Sequence, residues 1–244
     1  MPNEQGILYN RFYPGFTLLP YSDQSKIITY ATYDNFDPDS TTWGDGICPI
    51  RSSGTWYKDH DAQGFISFAS AYNSLSNTSA IGNAFTVYEV LKHVNYPETI
   101  VDTSYNLVIN RGSSNEYLLS PYNTGAQCAY SNQTSIGNFD VGSIPTLDTM
   151  HITASAFEYL SDGPKSSISE YLNYGASRLL DRTTTYGAVD GIQIAGTSMT
   201  TRCYKFIAIV QGDESQIYIG SRSIVEYNMA VLKSYFGVDY PSPI

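Results

Sequence analysis

Apolar and polar side chains alternate with a period of two along most of this chain, and the alternation comes in short runs. Lys26 to Tyr33 (KIITYATY), Gly64 to Ser70 (GFISFAS) and Ala84 to His93 (AFTVYEVLKH) are the first clear ones. In the third, Phe85, Val87 and Glu89 fall on one side of an extended chain and Thr86, Tyr88 and Val90 on the other. YNLVIN, EYLLS, MHITASAFEYL (Met150 to Leu160), SSISEYLNYG, GIQIAG, YKFIAIVQG and SQIYIG continue the series. Loops such as DNFDPDSTTWGDG, with Pro38, Gly44 and Gly46, punctuate it. Short strands separated by turn residues predict an all-β sandwich or barrel. Neither a repeat nor a low-complexity linker divides the chain, so residues 23–244 are expected to form one domain.

The period changes at both ends. Ser223 followed by Glu226 is a capping box, which satisfies two orphan N–H groups at a helix start. Ile224, Tyr227, Val231 and Tyr235 then recur at helical spacing, with Leu232 and Phe236 widening the stripe. Gly237 suits the left-handed position after a helix, and Pro241 lies just beyond. A helix over about residues 224–236 is expected. Residues 1–22 carry scattered apolar side chains without periodicity and are expected to form an extended N-terminal arm. Its Tyr9, Phe12, Tyr13, Phe16 and Leu18 require a cover, either their own domain or a neighbouring subunit.

The order of these signals carries a resemblance. TTWGDG, then GFISFAS, then NAFTVYEVLKH is similar to the opening half of concanavalin A-like, laminin-G-type jelly-roll domains. DTMHITASAFE, the SSISEYLNYG hairpin and GIQIAG resemble later strands of that family, and FIAIVQGDESQIYIGSRSIVEYNMAVLKSYFGVDYP resembles its close. IITYATY departs from the family's first strand, and Tyr-Phe-Gly replaces its closing Lys-Tyr-Gly. The resemblance implies a jelly-roll sandwich of two antiparallel sheets, with the terminal helix covering apolar surface at its edge. It does not set function, because such sandwiches serve as lectins, hydrolases and interaction modules.

Charge narrows the functions. Thirteen basic against 23 acidic side chains give a net charge of −10 over 244 residues, which opposes phosphate-neutralising contact with nucleic acid. No apolar run is long enough to span a bilayer, so membrane insertion is not expected. The first twenty residues lack the basic and apolar regions of a secretory signal, and none is expected. Only 15% of residues are charged while 22 are Tyr, a side chain that supplies rigid contact area with a polar tip. Cys48, Cys128 and Cys203 have no metal-ligand spacing and are expected as small buried side chains.

Candidate chemistry is sparse. A glycosidase on such a fold needs two carboxylates facing one cleft. Glu158 with Asp162, and Asp213 with Glu214, read instead as solvated loop charge. His60 lies between Asp59 and Asp61, and the only other histidines are His93 and His151; no second His stands at ligand spacing. GTSMT lacks the second glycine of a nucleophile elbow. No catalytic residue is assigned, and the reading leans away from an enzyme. No cofactor is expected beyond a calcium ion, for which Asp34, Asp37, Asp39 and Asp45 are the candidate oxygen ligands. Glycans are recognised by an aromatic platform beside Asp or Asn in loops. Trp56, Tyr57 and Asp59, with Tyr122, Asn123 and Tyr130, are the candidates; Trp43 beside Asp45 is a further loop aromatic, for which the resemblance implies a core position.

These observations lead to one first expectation and two alternatives. The first is a non-enzymatic virion-surface module, a capsid decoration or tail-fibre type protein made in a host cytoplasm. Its partners would be other virion proteins or further copies of itself, and it would adhere to host glycans. The alternatives are a carbohydrate-active hydrolase on a lectin/glucanase fold and a cellular lectin-like domain.

Overall fold

The computed structural model describes residues 18–37, 39, 82–94, 148–159 and 202–238. It also describes strand backbones at 42–43, 45–46, 50–53, 56–59, 64–67, 72–75, 107–111, 114–118, 120–122, 125–127, 130–131, 134–135, 166–172, 175–181 and 191–194, residue 60, and the side chains of Tyr57, Lys58, His60, Tyr171 and Ile192.

The strongest alternating runs became the two central strands. Ala84–His93 and Arg202–Gln211 pair antiparallel from Phe85↔Gln211 to His93↔Arg202, with the register slipping by one residue between Tyr204 and Phe206. They lie in the middle of a nine-stranded antiparallel sheet. Its order runs Gly175–Asp181, Ser166–Leu172, His151–Tyr159, Ala84–His93, Arg202–Gln211, Ile27–Thr32, Asp45–Gly46. Gly64–Ser67 pairs with the start of Arg202–Gln211, and Trp56–Asp59 pairs with Gly64–Ser67. A second antiparallel sheet has eight strands, with Leu107–Arg111 and Gly191–Ile194 paired at its centre. The expected all-β sandwich with one C-terminal helix is therefore the architecture of the chain.

Both faces of the large sheet are buried, which is why its central strands are apolar on both sides. One face presents Tyr30, Tyr88, Val90, Ile152, Ala154 and Phe206, which pack with Leu18, Leu19, Val225, Met229 and Leu232 in one cluster. The other face presents Phe85, Val87, Leu91, Phe157, Ile207 and Ile209, all fully buried, with the Phe85 and Phe157 rings stacked at 5.4 Å. In the second sheet Ile192 is fully buried as well.

The helix spans Ile224–Phe236 and starts and stops where its caps direct. Ser223 Oγ accepts the Glu226 N–H at 3.3 Å, and Glu226 Oε2 accepts the Ser223 N–H at 2.7 Å. Gly237 adopts φ +63°, a left-handed conformation that glycine enters without a Cβ penalty. The inward face, however, is rotated from the expected stripe. Ile224, Val225, Asn228, Met229 and Leu232 are buried, whereas Tyr235 is 63% exposed. Asn228 breaks an apolar pattern, yet it points inward because every hydrogen-bonding group of its side chain is satisfied there. Its Oδ1 accepts from the Tyr21 N–H, and its Nδ2 donates to Ser22 Oγ and Tyr88 Oη.

Two further expectations are refined. SQIYIG forms a strand, but only over Tyr218–Ile219 and outside the large sheet. Asp213 caps a one-turn 3-10 helix at Glu214–Gln216, and Tyr218–Ile219 forms only a hairpin with Arg222–Ser223. Leu18, the arm residue that falls among the described residues, takes its cover from its own domain, fully buried with Leu19 under the helix. The arm's other residues, Tyr9, Phe12, Tyr13 and Phe16, lie outside the described residues.

Candidate functional site

A cavity of about 470 Å³ opens at the C-terminal end of the helix, lined by Leu18, Thr32, Tyr33, Asp34, Lys205, Tyr235 and Phe236. Each lining residue is placed by a local cause. Phe236 ends the helix with its ring 6.1 Å from that of Phe206 in the sheet. Tyr235 precedes it and projects outward, its ring set edge-on to Phe236 at 4.9 Å. Tyr33 and Asp34 follow the strand Ile27–Thr32 in a turn fixed by Asn35, whose Oδ1 accepts the Thr32 N–H at 2.6 Å. Lys205 is the extra residue at the register slip between Tyr204 and Phe206, and bulges of this kind re-aim a side chain out of the pleat.

Two neighbours hold Tyr33. Its hydroxyl is hydrogen bonded to His60 Nδ1, and Lys58 Nζ sits 4.6 Å from its ring centre. The only ion pair among the described residues is Lys92–Asp148. Lys205 and Asp34 therefore enter the groove without a charged partner among those residues. A fixed aromatic ring, a second ring 63% exposed, one ammonium and one carboxylate converge on one opening. That set is able to stack on the C–H face of a ring and to donate to and accept from hydroxyls around its edge.

The candidates read from the sequence are only partly joined to this groove. Tyr57 is 52% exposed on the strand Trp56–Asp59, next to the Lys58 that covers Tyr33. Trp56 and Asp59 share that strand, and their side chains lie outside the described residues. Tyr122 ends the strand Ser120–Tyr122 of a separate two-stranded sheet, and Tyr130 begins a strand of the second large sheet. Asn123 lies outside the described residues, as does the side chain of Trp43. Among the four aspartates considered for calcium, Asp34 lines the groove, and Asp37 Oδ1 accepts the Asp39 N–H at 3.0 Å within its own turn. Asp45 is on the edge strand beside Tyr30, its side chain outside the described residues. Among the described residues no three His, Cys, Asp or Glu side chains cluster as metal ligands. Sequence reasoning missed Lys205, which a bulge invisible in the pattern delivers, and Tyr235, which the helical stripe assigned to the core.

Ionisable groups are also buried on both faces of the large sheet. Glu214, read from the sequence as solvated charge, is buried and accepts from Tyr88 Oη at 2.5 Å and Ser22 Oγ at 2.9 Å. Burial raises its pKa above the usual carboxylate value, and the two hydrogen bonds only partly counter this. On the opposite face, Glu89 accepts from Thr153 Oγ1 at 2.9 Å, and Arg202 Nε donates to His93 Nε2 at 3.3 Å. His93 and His151 stack at 5.0 Å with their planes 10° apart. Burial, aided by the Arg202 charge and partly opposed by the hydrogen bond to the Thr149 carbonyl, lowers the His151 pKa to about 4. These groups are buried, whereas the groove is accessible. Cys203 is a buried thiol, as expected; Cys48 and Cys128 lie outside the described residues.

No protein-family model matches the sequence, and no curated protein matches it. Solved structures are similar to it. Domain 4 of AbnA, a GH43 extracellular arabinanase from Geobacillus stearothermophilus in complex with arabinotriose, superposes with a TM-score of 0.50 at 12% identity, over 77% of this chain and 93% of that one. The binding domain of botulinum neurotoxin DC in complex with SialylT gives 0.49 at 8% identity, over 88% of this chain and 52% of that one. The VIP36 exoplasmic/lumenal domain in its Ca2+/Man2-bound form gives 0.41 at 9% identity, over 83% and 92%. At 12% identity, what the AbnA domain shares with this chain is the fold alone.

Proposed function

We propose that this protein is a non-catalytic carbohydrate-binding β-sandwich and that the groove at the end of the helix is its binding site. The observation that carries the reading is the exposed Tyr235 ring beside two charged side chains, Asp34 and Lys205, that have no ionic partner among the described residues, over a cavity of about 470 Å³. A buried side chain would serve packing, but Tyr235 is 63% exposed and adds little to it. Among the described lining residues Asp34 is the sole carboxylate, which supports binding over hydrolysis by a carboxylate pair. Arabinotriose, bound by the AbnA domain, is a natural first probe.

The test is calorimetric titration with a panel of oligosaccharides, comparing the wild type with Tyr235→Ala. Binding that Tyr235→Ala weakens at least tenfold, with the thermal midpoint unchanged, supports the reading. Binding that ignores Tyr235 moves the site elsewhere on the sandwich.

The finer reading places this module on a virion surface, with other virion proteins or further copies of itself as partners. Low charge content and abundant Tyr support it, together with the aromatic residues that precede Leu18. Deletion of residues 1–17 tests it without touching Leu18, Leu19 or Ser22 of the core. Loss of assembly with retained folding supports a docking arm; an unchanged mass and melting temperature removes it. A calcium ion at Asp34 belongs to the same proposal, and a titration of sugar binding with and without chelator decides it.

A further inference from the structure

Within that carbohydrate-binding reading, we infer that the ligand of the groove is a carboxylated sugar, its carboxylate paired with Lys205 and its ring stacked on Tyr235. Three observations converge. First, the chain breaks its central register between Tyr204 and Phe206, and the residue released from the pleat is a lysine aimed into the groove. A regular strand would have turned the next residue into the pleat and kept the ladder intact. Secondly, this lysine is half-buried and forms no ion pair among the described residues, in a protein with 23 acidic against 13 basic side chains. An ammonium partly removed from water is stabilised by an anion, and the groove leaves that place to the ligand.

Thirdly, the carboxylates nearest in sequence do not take the place. Asp37 turns its Oδ1 to the backbone of Asp39, and neither residue lines the cavity. Asp34 does line it, yet stays beyond ion-pair distance of Lys205 and so remains an acceptor for sugar hydroxyls. The ammonium of Lys58 lies over the ring of Tyr33, a second positive charge beside the groove. A neutral sugar would satisfy Tyr235 and Asp34 but would leave Lys205 without an anion. A carboxylate on a uronic or a sialic acid meets all three.

The test uses galacturonate trimer and sialyllactose, each beside its neutral counterpart (the carboxyl-reduced trimer and lactose), with the wild type, Lys205→Gln and Tyr235→Ala. The expected result is that at least one acidic sugar binds the wild type tenfold or more tightly than its neutral counterpart. That preference should shrink as salt screens the pair and vanish in Lys205→Gln. Whichever acidic arm binds identifies the source of the carboxylate. Equal binding of acidic and neutral partners, or a preference that survives Lys205→Gln, overturns the inference while leaving carbohydrate binding at Tyr235 standing. Binding of neither class, with Tyr235→Ala silent, overturns both.

Discussion

The Tyr88 hydroxyl donates to Glu214 at 2.5 Å, across a sequence separation of 126 residues, at a point where both side chains are buried. Asn228 of the helix and Ser22 of the N-terminal segment close the network around them, through Asn228 Nδ2 to Ser22 Oγ and to Tyr88 Oη. The helix therefore does more than cover apolar surface. It fastens residues 18–22 to the sheet through a polar contact that only this geometry satisfies. Removing one partner leaves a buried acceptor short of a donor, at about 1–3 kcal/mol. Tyr88→Phe is expected to lower the unfolding free energy by about that amount, measured by denaturant titration.

Glu214 sets one slope in the pH dependence of stability. Its folded pKa lies above the unfolded value, so the folded state holds the proton more tightly between the two. Its contribution is largest below pH 4.5 and falls as pH rises through the folded value. Glu214→Gln keeps the acceptor and removes the charge. The variant should lose that slope and match or exceed the wild type at pH 7, within about 1 kcal/mol. Denaturant melts between pH 4 and 8 check it; a wild-type curve without the slope refutes the assignment.

His151 acts in the opposite direction on the other face. Its pKa is depressed from 6.5 to about 4, so the folded state resists the proton that the unfolded chain accepts. The stability this group contributes is complete above pH 6.5 and is lost as pH falls through about 4, some 3 kcal/mol in all. Arg202 opposes a further positive charge there, and the His93 ring stacks against it. His151→Phe preserves the stack and removes the titration. Its acid-unfolding midpoint should move to lower pH than that of the wild type.

Much of this architecture is legible in the sequence, and the reasons are local. The boundaries of Ala84–His93 follow from an alternation that no turn residue interrupts, and those of the helix from Ser223, Glu226 and Gly237. The site is less legible because its parts depend on departures from pattern. Lys205 reaches the groove through a one-residue slip that leaves no compositional mark. Asn228 and Glu214 are polar side chains inside, and only their three-dimensional partners show why they belong there. Tyr235 has helical spacing with Tyr227 and Val231, yet the helix rotates to bury Asn228 and carries Tyr235 outward.

A tight approach of two strands fixes one glycine. A Cβ on Gly64 would stand 2.7 Å from the Tyr204 carbonyl oxygen and 2.9 Å from Cys203 Sγ. The carbonyl belongs to a paired central strand and has no freedom to withdraw. Gly64→Ala is expected to cost about 1–3 kcal/mol through overpacking, read as a drop in denaturation midpoint without a change in m-value. Since Tyr204 adjoins the bulge that places Lys205, the same substitution should also weaken sugar binding.

The rotation of the helix makes its two apolar ends behave differently. Leu232 is fully buried against Val90, Ile152 and Phe206 of the sheet cluster, whereas Tyr235 stands outside the contact. Leu232→Ala creates a cavity in that cluster and should cost about 2–5 kcal/mol. Tyr235→Ala removes an exposed ring and should leave stability within about 0.5 kcal/mol of wild type. Had the stripe of Ile224, Tyr227, Val231 and Tyr235 faced the sheet, the two substitutions would cost comparable amounts. Thermal and denaturant melts of the pair distinguish the orientations. They also fix the meaning of any binding lost in Tyr235→Ala, because a ring that does not hold the fold together is free to hold a ligand.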